Sequence, residues 1–80
     1  MVEDSVLKAV RAAVQEVVPG VEVSDDTPLI ARRIVDSLSL LSLVSLLEER
    51  LPVTIRDSEL LPANFETVVA IRAFLKSKGC

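Results

Sequence analysis

Asp36-Ser37-Leu38-Ser39-Leu40-Leu41-Ser42-Leu43-Val44-Ser45-Leu46-Leu47-Glu48-Glu49-Arg50-Leu51 leads from a polar loop into a leucine-rich run. At about 100° per residue the run sorts into two faces. Leu40, Leu43, Val44, Leu47 and Leu51 gather on one side and predict a helix packed on a core. Leu38, Leu41, Ser42, Ser45 and Glu49 point the other way, with Leu46 at the edge. Pro52 stops the helix, because it lacks the N–H that another turn needs. Leu38 and Leu41, one turn from Ser37, form a docking patch unless the preceding loop covers them. Scattered exposed leucines alone need no explanation.

Outward from this run, Val6, Val10, Ala13, Val14 and Val17 recur at helical spacing and predict a first helix from about Asp4 or Ser5 to Val18. Either Asp4 or Ser5 can cap it, since each offers a side-chain oxygen to an orphan backbone N–H. Pro19-Gly20 ends it. The connection from Pro19 to Asp36 is long for so small a domain, so it is either functional or packs its own side chains on the core. Val21, Val23, Leu29 and Ile30 are spaced for such packing, and Asp25-Asp26-Thr27-Pro28 is a turn signal.

Beyond Pro52, Val53-Thr54-Ile55 is extended but too short to imply a sheet, and Asp57 to Leu61 suits one short helical turn before Pro62. A last helix begins near Thr67, with Val68, Ile71 and Leu75 inward and Lys76 and Lys78 near the negative end of its dipole. The expected fold is all-α, three main helices plus one short, in a single domain spanning 1–80. Eighty residues lie near the lower limit for a core without staples. Half of the chain is apolar, which is enough for that core. Phe65 and Phe74 are its only aromatics, so the packing must be aliphatic.

A net charge of −3 argues against nucleic acid, which needs a basic stripe to release counterions. The same balance favours basic protein partners. Arg32-Arg33 reads as a solvated loop pair. Cys80 is the only cysteine, which excludes an internal disulfide framework and fits a reducing, cytoplasmic setting. It reads as a frayed terminal residue. Glu3 and Asp4 stand where a signal peptide would be basic, and the longest apolar stretch, Leu38 to Leu47, is too short to span a bilayer.

Chemistry has one place to reside. The chain has no histidine, so Ser37 has no imidazole base and a hydrolase triad is excluded. No metal cluster or phosphate-cradling loop is evident, and the chain reads as non-catalytic. A serine at a helix start serves as a cap. It also suits a covalently attached phosphate, because backbone N–H groups and the positive end of the dipole favour an anion there.

In order, Asp25-Asp26-Thr27-Pro28-Leu29, Ile34-Val35-Asp36-Ser37-Leu38, Leu47-Glu48-Glu49-Arg50-Leu51, Val53-Thr54-Ile55 and Asn64-Phe65-Glu66-Thr67-Val68 resemble an acyl carrier protein along nearly the whole chain. The resemblance implies an acyl-carrier-like four-helix bundle whose last helix is opened by Asn64-Phe65-Glu66-Thr67-Val68. It implies a phosphopantetheinyl transferase that moves 4'-phosphopantetheine from coenzyme A onto Ser37, with Asp36 beside it in the cofactor site. It further implies a cargo held as a thioester and docking of enzymes on the second helix, here through Leu38, Leu41, Ser42, Ser45, Glu48 and Glu49. The partners would be that transferase, a loading ligase or acyltransferase, and downstream synthases, met by a monomer.

Two departures narrow the expectation. Ser39 and Ser42 stand where carriers of fatty acid synthesis often have acids, and acid returns only at Glu48 and Glu49. Ile34 stands where many relatives have glycine, which would make the loop stiffer and more apolar. Together with Asn64-Phe65-Glu66-Thr67, these point to a stand-alone carrier in polyketide, nonribosomal-peptide or aminoacyl-transfer metabolism, antibiotic biosynthesis included. The alternative is a small helical interaction module without a prosthetic group, gripping a partner through the exposed leucines.

Overall fold

A computed structural model describes residues 4–80, so Glu3, weighed above against a signal peptide, lies outside the described residues. Helix α1 covers Ser5–Val17. Of the two possible caps it uses Asp4, whose carboxylate accepts from the N–H groups of Val6 and Leu7 at 3.1 Å each. The same carboxylate binds Arg72 near the C-terminus of the chain, a long-range tie that Ser5 could not make. Val10, Ala13 and Val14 are fully buried, while Val6 and Val17 are half-buried towards the helix ends.

The long loop is fastened by its backbone. Leu29 N–H donates to the Glu66 carbonyl at 2.7 Å, and the Asp25 carbonyl accepts from Val69 N–H at 3.1 Å. The Asp25 carboxylate accepts two hydrogen bonds from Arg11 on α1, at 2.9 and 3.1 Å. Leu29 is fully buried, and Val23 and Ile30 are half-buried, as expected of a loop that packs on the core. Val21 differs. It is exposed because the turn at Gly20 holds the chain by its carbonyl, which accepts from Gln15 Nε2 at 2.7 Å, rather than by its side chain.

Helix α2 covers Ser37–Arg50. Leu43, Val44 and Leu47 are buried, and Leu40 and Leu51 of the same face are half-buried. After Pro52, Ile55 is buried and its N–H donates to the Glu48 carboxylate at 2.8 Å. The short helical turn expected over Asp57 to Leu61 is present as a 3-10 turn at Asp57–Glu59, and a further short helix, α3, follows at Pro62–Phe65. Pro62 therefore opens a helix. At its first position the missing N–H is one that no intrahelical acceptor would have claimed.

Asn64-Phe65 consequently ends α3, and Thr67 caps the last helix, accepting from Ala70 N–H at 3.0 Å. Helix α4 covers Val68–Ser77 and buries Val68, Ile71 and Leu75 completely. It closes through Gly79, whose φ of 95° lets Gly79 N–H reach the Lys76 carbonyl while Cys80 N–H reaches Leu75. Cys80 is thus bonded and partly packed on the core rather than frayed.

Helix α1 packs on α2 and α4, and α3 packs on α4. Phe65, fully buried, meets Phe74 with ring centroids 5.5 Å apart and planes tilted by 56°. That arrangement sets the edge of one ring towards the face of the other, as aromatic quadrupoles favour. Among the described residues no helix is long and apolar enough to cross a membrane.

Candidate functional site

The head of α2 is built by one carboxylate. Asp36 has extended backbone, and its Oδ1 accepts from Ser39 N–H at 2.9 Å, which starts the helix at Ser37. That N–H bond, supported by the Ser39 side chain, holds the Asp36 carboxyl below the usual carboxylate range. Ser37 is exposed, and its hydroxyl makes no hydrogen bond among the described residues. The cap and the free hydroxyl are therefore two different residues.

A cavity of about 320 Å³ opens beside them. Apart from Arg33, Asp36 and Ser37, its lining is apolar: Ile30 and Val35 from the loop, Leu40 from α2, and Leu60 and Pro62 from the start of α3. Leu40 is only half-buried because this cavity lies against it. Arg33 has φ 56°, the only non-glycine among the described residues with positive φ. For a residue with a Cβ this conformation costs about 1 kcal/mol. It is enforced by a turn in which Arg33 N–H donates to Ile30, while Ile34 and Val35 N–H both donate to the Leu29 carbonyl.

An exposed hydroxyl at the first residue of a 14-residue helix fits a phosphate ester, since the uncompensated N–H groups there favour an anion. The adjoining apolar cavity fits an organic chain attached to that ester.

The expected docking residues separate into groups. Leu38 is 77% exposed and Leu41 56%, so the loop does not cover them. Leu38, Ser42 and Ser45 line a second, open groove of about 600 Å³ with Ser39 and Leu46, closed on its far side by Glu16 and Val17 of α1. Glu16 is paired with Arg50, which holds its carboxyl below the ordinary range. Glu49 is exposed beyond the groove. Glu48 is engaged instead, its carboxylate holding Ile55 N–H. Arg33, Glu16 and Val17 had no place in the sequence-derived site. Their contribution is non-local, and no periodicity along α2 could reveal it.

A family profile described as a phosphopantetheine attachment site matches residues 8–75. Members of that family carry 4'-phosphopantetheine covalently on a serine, are modified by phosphopantetheinyl transferases and interact with synthases. Comparison with the curated proteins and with the solved structures found no match. With its all-α bundle and a match spanning most of its length, the chain belongs to the phosphopantetheine-attachment family of acyl and peptidyl carrier domains.

Proposed function

We propose that residues 1–80 act as one carrier domain loaded at Ser37. The observation that carries this reading is the division of labour at the head of α2, where Asp36 caps the helix and Ser37 keeps an exposed, unengaged hydroxyl. The Ser37 hydroxyl oxygen attacks the pantetheine-side phosphorus of the coenzyme A pyrophosphate, forming the serine phosphodiester as the P–O–P bond breaks and adenosine 3',5'-bisphosphate leaves. The hydroxyl proton must leave to a base on the transferase: the chain has no histidine, and the depressed Asp36 carboxyl is a weak base committed to Ser39. When bound, 4'-phosphopantetheine supplies a terminal thiol that holds an acyl or aminoacyl group as a thioester.

The remainder of the chain presents that group without transforming it. Leu38, Leu41, Ser42 and Ser45 form an outward face with no charge, and Glu49 adds acid only near its end. Such a face suits a dedicated partner with an apolar docking surface better than a strongly basic one. This supports a carrier in polyketide, nonribosomal-peptide or aminoacyl-transfer metabolism, charged by its own ligase or acyltransferase; that it works as a cytoplasmic monomer is part of the same proposal.

The test is intact mass after incubation with coenzyme A and a broad-specificity phosphopantetheinyl transferase. The wild type should gain one phosphopantetheinyl group and Ser37→Ala none. No gain, beside a control carrier that is modified, returns the chain to the interaction-module reading.

A further inference from the structure

Arg33 is a charge without an assigned use. Arg11, Arg50 and Arg72 each face a carboxylate, Asp25, Glu16 and Asp4 respectively. Arg33 has no ion pair or side-chain hydrogen bond among the described residues, yet it lines the same cavity as Ser37. The turn from Leu29 to Val35 forces a left-handed backbone on it. Glycine would take that conformation without strain, so an arginine here keeps its side chain at a cost.

The anion that would meet it is defined by the surroundings. A phosphodiester on Ser37 carries one negative charge and would stand beside the Asp36 carboxylate, which is fixed on Ser39 N–H. The remaining lining of the cavity is aliphatic and offers no counter-charge. A guanidinium is planar and always charged, and it can donate two parallel N–H bonds to phosphate oxygens.

We propose that Arg33 is the counter-ion of the phosphodiester on Ser37, a positioning residue that binds its non-bridging oxygens, offsets Asp36 and directs the arm along the cavity. Arg32 does not line the cavity and is assigned no such part. The assignment rests on the carrier reading of Ser37.

The experiment compares apo and holo forms of wild type, Arg33→Gln and Arg33→Gly, each converted with coenzyme A and the same transferase and checked by intact mass. In ¹⁵N-labelled wild type, the Arg33 Nε–Hε signal should move on conversion. It should return towards its apo position as salt rises from about 0.01 M to 1 M, where screening is short-ranged. Holo wild type should melt about 3 °C above apo at low salt, as a modest exposed ion pair gives. Arg33→Gln should lose most of that gain. Arg33→Gly, freed of the strained φ, should melt higher than wild type as apo protein and also lose the gain, which separates loss of the ion pair from loss of fold.

A fully loaded wild type whose Arg33 signal does not move, or an equal holo gain in all three proteins, would overturn the assignment and leave the carrier reading standing. Failure of the wild type to gain mass removes both.

Discussion

Because Asp36 supplies the cap, substitution at the two neighbouring residues should separate folding from loading. Asp36→Ala should cost about 1 kcal/mol, read as a lower urea midpoint, since Ser39 N–H loses its acceptor. Asp36→Asn should cost less, because an amide oxygen still accepts from that N–H. Ser37→Ala, at an exposed position with no hydrogen bond to lose, should change stability by no more than about 0.5 kcal/mol while abolishing loading. Arg33→Gly should stabilise the apo protein by about 1 kcal/mol through relief of its left-handed backbone. The helix start at Asp36-Ser37 was legible because a cap and its helix are adjacent in the chain, whereas Ser37 as an attachment point came from the resemblance to acyl carrier proteins. The strained Arg33 is set by a turn closed on Leu29, and nothing in Arg32-Arg33 announces it.

At the level of the helix, α2 carries two leucine surfaces with opposite duties. Leu43→Ala, at a fully buried position, should cost about 3 kcal/mol, read as a lower urea midpoint. Leu41→Glu should leave the melting temperature within a few degrees, because this side chain is already more than half exposed, and should weaken binding to the cognate partner about tenfold or more. Retained affinity would mean that the docking face lies elsewhere. These two surfaces were legible because a single period of 3.6 residues runs uninterrupted from Leu38 to Leu51. The region from Pro52 to Thr67 was less so. Pro62 is a stop signal after a helix and a start signal before one, and only the burial of Phe65 against α4 selects the second. The cavity beside Ser37 was not legible at all, since its lining comes from the loop, α2 and the approach to α3.

Across the whole molecule, carboxylates tie distant segments together: Asp4 to α4, Asp25 from the loop to α1, Glu16 to α2, and Glu59 to Lys78. All four are held below their ordinary range: Asp4 chiefly by Leu7 N–H and then by Arg72, the others chiefly by Arg11, Arg50 and Lys78 in turn. Asp36 joins them through its cap. The unfolded chain therefore binds more protons than the folded one in acid, and stability rises with pH there. It should be fully developed above the ordinary carboxylate values near about 4 and be lost as pH falls through the lowered ones. Each pair is partly exposed and individually small. Thermal melting should thus be nearly flat from about pH 5 to 8, where no histidine exists to titrate, and should fall steadily below about pH 4.5. Asp4→Asn should make that acid slope shallower. The tilted pair of Phe65 and Phe74 has another consequence, because the chain contains no other aromatic ring. Ring-current displacement of methyl resonances can arise only from that pair. The upfield edge of an unlabelled proton spectrum is therefore a private reporter of how α3 sits on α4, in a protein almost invisible to absorbance at 280 nm.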